Sequence, residues 1–174
     1  MTLARRSVLV MGGGYAASLL AARAGWAVAA IKIAMRGSAD GGRIWFDPVG
    51  LYIEPGQTIR FVNHDPGNAH TATSYSPVID GRPLRIPSRS GGWDSDYLLP
   101  EESFEITLEV PGVYDYYCRP HEHAGMVGRI VVGRPESVEG WEQNEAVGDL
   151  PAEVVAAFPA VADIVSMGRV VAAG

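Results

Sequence analysis

The chain of 174 residues contains a single cysteine, Cys118. One thiol cannot close an internal disulfide, so no disulfide framework holds this fold. Cys118 is therefore a buried inert side chain, a free reactive thiol or one partner of an intermolecular bond, or a metal-bound thiolate. No cluster of Lys and Arg stands out in a chain of net charge −6 and pI near 5.1. That absence removes the electrostatic footprint of a nucleic-acid binder, and an acidic surface suits a neutral or basic protein partner instead. No internal repeat is visible. The apolar stretch Val8 to Ala22 is too short to span a bilayer comfortably. The length still allows one ordinary domain with a hydrophobic core, plus a tail or two.

The N-terminus has the order of an export signal. Arg5 and Arg6 form a charged region, Val8 to Ala22 an apolar region interrupted afterwards by Arg23, and Ala27-Val28-Ala29 a small-residue cleavage site. Residues 1–29 are accordingly expected to be a signal peptide. The paired arginines point to the twin-arginine route. Ala4 before the pair and Val8 after it depart from that pattern, so ordinary Sec export is the rival reading, and retention as an uncleaved anchor the lesser one. No cysteine lies near the cleavage point, which excludes a lipoprotein. Removal of the segment takes away three arginines and no acid, moving the net charge from −6 to −9. A periplasmic location is expected, without stable membrane insertion after cleavage.

From Ile31 to Val132 the chain reads as short strands and turns. Expected strands are Ile31 to Met35, Ile44 to Phe46, Leu51 to Ile53, Thr58 to Asn63, Ser103 to Val110, Val113 to Cys118 and Val127 to Val132. Alternation is clearest where Phe104, Ile106, Leu108 and Val110 share one face. Glu54-Pro55-Gly56-Gln57 and Pro111-Gly112 carry turn chemistry. Strands of this length and spacing predict an antiparallel sandwich or barrel. The stretch from Ser74 to Asp96 is rich in Ser, Pro, Gly and Arg, lacks periodicity, and reads as a long surface loop with room for a short strand.

Residues 134–149 read as an acidic linker, and residues 134–174 together as that linker followed by a helix. Asp149, Pro151 and Glu153 form a helix start. Val154, Phe158, Val161 and Val165 lie at helical spacing, Pro159 kinks the helix or leaves one bond unmade, and Gly168 ends it. The stripe is expected to pack on the sandwich. A docking or dimerisation helix is the sharper alternative.

The chemistry is concentrated in Tyr116-Tyr117-Cys118-Arg119-Pro120-His121-Glu122-His123-Ala124-Gly125-Met126-Val127-Gly128. It contains Cys-x2-His-x4-Met between two expected strands, which brings a thiolate, an imidazole and a thioether to one end of a sheet. A thiolate, two imidazoles and a weak axial thioether make the blue-copper donor set. Zinc accepts Cys and His, but Met is a poor zinc ligand. His70, which begins the segment after the loop Asn63 to Ala69, is the best source of the second imidazole. His121 is preferred over His123, which leaves only two residues before Met126. His64 and His123 read as loop histidines without special role, and a second metal between them as speculation.

These motifs resemble the cupredoxins, and the loop is closest to that of plastocyanin. The family's Tyr-Cys-x-x-His-x-x-x-Gly-Met-x-Gly is matched from Tyr117 to Gly128. The stretches Ile53 to Asn63 and Pro111-Gly112-Val113-Tyr114 are also similar, and the resemblance covers roughly residues 31–133. It implies an all-β Greek-key sandwich over residues 30–133 with a C-terminal helical extension. It also implies one type 1 copper on His70, Cys118, His121 and Met126. The chain departs from the family in a longer Asn63–His70 loop, in the 74–96 insertion, and in Thr71 where the family usually has Asn beside the first histidine. That last change implies an altered hydrogen bond next to the site.

The expected function is single-electron transfer between a donor and an acceptor protein, by a monomer. The exposed edge of His121 would be the exit, within a patch formed by Pro120, Ala124, Gly125 and Val127. Periplasmic copper binding and delivery is the alternative, although apart from Met126 only Met35 and Met167 remain after cleavage. An enzyme is not expected: four histidines are too few for additional catalytic copper, and Tyr117 and Arg119 flank Cys118 where a trinuclear oxidase site would want histidines.

Overall fold

A computed structural model describes residues 30–134 and 150–172. The expected signal peptide, the linker from 135 to 149 and the Asp149 helix cap lie outside the described residues. Among the described residues nine strands form two sheets. They are β1 (Ile31–Gly37), β2 (Ile44–Asp47), β3 (Gly50–Ile53), β4 (Gln57–Asn63), β5 (Thr73–Ser74), β6 (Ser103–Leu108), β7 (Gly112–Tyr117), β8 (Val127–Val132) and β9 (Arg169–Val170). One sheet has the order β2-β1-β4-β6 and the other β5-β7-β8-β3-β9. The protein is mostly β, as expected, but the sheets are mixed rather than antiparallel. β1 runs parallel to β4, with Ile33 opposite Phe61, and β3 runs parallel to β8. The cause is the short passage from Asp47 to Gly50, which moves the chain from one sheet to the other before it can form a hairpin.

The inner faces meet in one core containing Ile33, Met35, Phe46, Ile59, Phe61, Tyr114, Tyr116 and Ile130. Phe46, Phe61 and Tyr116 interlock edge to face, with ring centroids 4.8–6.3 Å apart. This geometry suits the ring quadrupoles.

Every residue of β7 and β8 is buried, on both faces. Since successive side chains point to opposite sides of a strand, β7 sends Tyr114 and Tyr116 inward and Val113, Asp115 and Tyr117 outward. Two covers hide the outward set. The first is the 74–96 insertion, a surface loop that begins in the short strand β5, as expected, but one pinned to the sandwich by a few buried residues. Buried Tyr75 stacks on Tyr117 and buried Arg85 pairs with Asp115 on the outer face, whereas Ile86 and Trp93 join the inner core, Trp93 against Tyr114 and Tyr116; Ser74 and Trp93 are hydrogen-bonded through their backbones.

The second cover is the C-terminal segment. It forms two short helices, α1 (Ala152–Ala157) and α2 (Val161–Met167), instead of one kinked helix. Pro159 has no N–H to continue the first helix, and the residue before a proline is disfavoured in the helical region; Phe158 is accordingly extended, at φ −72° and ψ 134°. The break re-phases the apolar stripe. Val154, Val161 and Ile164 are buried against the sandwich while Val165 is exposed. Gly168 ends α2 in the left-handed conformation, and β9 then pairs antiparallel with β3. Among the described residues no helix is long and apolar enough to cross a membrane.

Candidate metal centre

Cys118 follows β7 directly, and alternation carries its side chain to the inner face after Tyr114 and Tyr116, where it is fully buried. A single 3-10 turn, Arg119–Ala124, starts with Pro120 near its N-terminus, a position where the missing N–H costs nothing. The turn stops at Gly125, whose φ of +79° is a conformation that side chains with a Cβ rarely adopt. Backbone bonds close the loop at both ends. His121 N–H donates to the Cys118 carbonyl (3.0 Å), Met126 N–H to the His121 carbonyl (3.2 Å), and Cys118 N–H to the Met126 carbonyl (3.0 Å).

His70 arrives from across the sheet on an isolated β-bridge with Leu98, held by two backbone bonds of 3.1 and 2.8 Å. Its Nδ1 lies 3.1 Å from His121 Nδ1 and 3.5 Å from Cys118 Sγ, and His121 Nδ1 lies 3.4 Å from the same sulfur. Among the described residues these three are the one group of His, Cys, Asp or Glu gathered closely enough to hold a metal ion. An ion about 2 Å from each donor, the usual span for first-row metals with nitrogen and sulfur ligands, fits a triangle of this size. Met126 is fully buried in the same apolar cluster as Cys118.

The remaining two histidines stand apart. His64 hydrogen-bonds Glu101 (3.2 Å) and Lys32 (3.3 Å), and His123 is exposed on the far side of the turn.

Burial pushes the Cys118 thiol up to about 11, against hydrogen bonds from Thr71 and the His121 backbone that favour the thiolate. The metal-free protein therefore holds a thiol. Burial, together with the neighbouring His70, keeps the His121 imidazole below its ordinary value and so neutral. Both effects favour the uncharged forms of Cys118 and His121. Thr71 links the two halves of the site. Its N–H donates to Cys118 Sγ at 3.3 Å, and its hydroxyl oxygen accepts the Arg119 N–H at 2.9 Å. The hydroxyl thus ties the His70 segment to the ligand loop.

Several contacting residues were not legible as such. Asp65, 3% exposed, accepts from His70 Nε2 at 2.9 Å. Burial opposes its charge, but hydrogen bonds from Asn68, Gly67 and His70 hold its carboxyl below the usual range. Glu122, buried between His121 and His123, accepts from the Tyr75 hydroxyl at 2.8 Å and is ion-paired with Arg82. Arg119 reaches Asp80 (2.8 Å) and Asp94 (2.7 Å). Four residues of the insertion therefore grip the ligand loop on either side of His121. Polar residues without periodicity carry no sequence signal for such pairing. Val127, expected in a surface patch, is instead buried under α1, because it points to the covered face of β8; Pro120 and Ala124 are exposed and Gly125 partly so.

A family profile described as copper binding proteins, plastocyanin/azurin family, matches residues 33–133. The chloroplastic plastocyanin of Oryza sativa subsp. indica is 34% identical over 132 residues, which are 75% of this chain and 82% of the relative. The chloroplastic plastocyanin of Chlamydomonas reinhardtii is 36% identical over 130 residues, 74% and 83% of the two chains. A solved pseudoazurin from Sinorhizobium is 26% identical with a TM-score of 0.55, covering 79% of this chain and 98% of its own. The pseudoazurin of Methylobacterium extorquens AM1, at 22% identity, shares the fold with a TM-score of 0.54 over 80% of this chain and 97% of its own.

Proposed function

Because the chain belongs to the plastocyanin/azurin family of copper-binding proteins, we propose that it is an exported, periplasmic carrier of single electrons whose ligands are His70, Cys118, His121 and Met126. It is a blue copper electron-transfer protein with one type 1 copper. The ligand assignment rests on one observation, the triangle of His70 Nδ1, His121 Nδ1 and Cys118 Sγ with edges of 3.1–3.5 Å.

When bound, copper supplies a one-electron couple between Cu(II) and Cu(I). The protein's part is to hold the donors still. Cys118 gives up its proton on loading, and the backbone bonds at both ends of the turn, with Thr71 across it, keep sulfur and nitrogen in place in either oxidation state. A preorganised donor set leaves little to rearrange when the charge changes. His121 is half-buried and adjoins exposed Pro120, whereas His70 is sealed. Electrons accordingly enter and leave at the His121 edge, where a redox partner protein docks transiently on a monomer. An acidic body favours partners of opposite or neutral charge and speeds the encounter. With His70 and His121 committed, only His64 and His123 remain for a further copper, too few for a catalytic centre.

Copper-loaded protein should show an intense visible thiolate-to-copper charge-transfer band and the narrow copper hyperfine splitting of a type 1 site. Cys118→Ser should lose both. A colourless oxidised form would reject the assignment. Export is tested by recovering protein from the periplasmic fraction with Ala30 as N-terminus, and Arg5→Lys with Arg6→Lys separates the twin-arginine from the Sec route.

A further inference from the structure

His70 differs from His121 in what its second ring nitrogen meets. Asp65 Oδ2 lies 2.9 Å from His70 Nε2, and both residues are almost wholly buried. An ionised carboxylate has no proton to donate, so Nε2 carries the hydrogen and the lone pair of Nδ1 faces Cys118. The loop is built around this carboxylate. Gly67 N–H donates to Oδ1 and Asn68 Nδ2 to Oδ2, each at 2.9 Å, and Asp65's own N–H is taken by the Asn63 side chain, also at 2.9 Å. Asn63 in turn is pinned by bonds to the Asn68 and Leu98 carbonyls. Gly37 leaves room on the other side, where a Cβ would collide with the carboxylate. Among the described residues no Arg or Lys pairs with Asp65. Its charge is therefore offset only by hydrogen-bond dipoles, and His70 is the one group between it and the donor triangle that it touches directly.

We propose that Asp65 is a positioning and charge-setting residue of the copper site: it locks His70 in the tautomer that presents Nδ1, and its buried negative charge favours the more positive oxidation state of the ion held there. The proposal rests on the ligand assignment above. A carboxylate behind a ligand imidazole orients the ring and raises its basicity. In a dry interior its field is weakly screened. The reduction potential is accordingly lower than the same three donors and Met126 would set with a neutral acceptor in that place.

The test compares parent, Asp65→Asn, Asp65→Glu and Asp65→Ala. In copper-loaded protein, Asp65→Asn keeps the visible band but shifts the couple at least tenfold toward the reduced form, about 59 mV for one electron. Asp65→Glu, which restores the charge, returns most of that shift. A merely structural residue would show the reverse pattern, a stability loss in Asp65→Ala with the Asp65→Asn potential unchanged. A shift below twofold in a blue Asp65→Asn protein overturns the charge-setting role. In copper-free protein, imidazole nitrogen chemical shifts should show His70 protonated on Nε2 in the parent and a tautomer mixture in Asp65→Ala. Nδ1 protonation in the parent overturns the positioning role, and this readout decides the matter if Asp65→Asn fails to load. A parent without the visible band refutes the ligand assignment instead, so the two failures are distinguishable.

Discussion

Replacing Asp115 with Ala should destabilise the protein severely without altering the metal site. Asp115 sits on the outer face of β7, fully buried, between two arginines. Arg85 of the insertion reaches Oδ2 at 2.7 and 2.9 Å, and Arg129 of β8 reaches Oδ1 at 2.7 Å and Oδ2 at 3.1 Å. Both guanidinium groups are about 5% exposed. Phe158, between the two short helices, lies 5.2 and 5.1 Å from their carbons, and Arg129 also donates to the Pro159 carbonyl.

Deleting the anion leaves two buried cations facing each other. Removing one partner of a buried pair typically costs about 3–5 kcal/mol, a large part of the ~5–15 kcal/mol that holds a domain together. With an m-value of about 2 kcal/mol/M, the urea midpoint of the copper-free protein should fall by roughly 1.5–2.5 M. Circular dichroism and tryptophan fluorescence should report it together if unfolding is two-state. Because Cys118 lies on the opposite face, variant protein that folds should keep the parent's visible spectrum. A loss under about 1 kcal/mol, the value of an exposed ion pair, would refute the reasoning, since it would mean that the insertion and the C-terminal segment do not cover β7 in solution.

Glu122→Ala leaves the buried Tyr75 hydroxyl and Arg82 without their acceptor, so thermal unfolding should show a loss of about 1–3 kcal/mol, and stopped-flow chelation should show faster copper release; Glu122→Gln should recover part of both. Removing residues 150–174 exposes Val113, Val127 and Val131 and discards buried Leu150, Val154, Val161 and Ile164. At about 1.5–3 kcal/mol per side chain, the truncated chain should be aggregated or unfolded by size-exclusion chromatography, and a monodisperse product with an unchanged urea midpoint would contradict the packing. Copper affinity should depend on pH in a definite sense. The thiol of Cys118, raised to about 11 by burial, is protonated throughout the neutral range. Loading therefore displaces one proton, and apparent affinity should rise about tenfold per pH unit between 6 and 8. Calorimetry in buffers of different ionisation enthalpy counts that proton, and a count of zero would contradict the environment given to Cys118.

What is legible in the sequence is what is local. The Cys118 to Met126 loop is nine residues long, and its Pro, Gly and donor spacing already describe a closed turn carrying thiolate, imidazole and thioether. The inner-face alternation of Ile59 and Phe61, or of Tyr114 and Tyr116, is equally local. What the sequence leaves open depends on partners far along the chain. The Ser74–Asp96 stretch lacks periodicity because it is held by specific pairs: buried Arg85 with Asp115, buried Tyr75 and half-buried Arg82 with Glu122, and the more exposed Asp80 and Asp94 with Arg119. Each becomes a reason for burial only once the partner is present.

The donor chemistry is written in the amino-acid sequence, since one cysteine, a close Cys-x2-His-x4-Met spacing and two upstream histidines, His64 and His70, admit few arrangements. The sequence by itself also determined the β character, through short alternating segments between Pro and Gly turns. Tertiary structure alone decided that β1 and β4 run parallel, that the C-terminal stripe breaks at Phe158 and re-phases onto Ile164, and that β7 and β8 are covered on both faces. It decided as well that a carboxylate stands behind one histidine and not the other. Hydrophobic period and ligand type are properties of neighbouring residues. Charge pairing, strand order and the second partner of an imidazole belong to residues brought together from distant points, and they exist only when the core has closed.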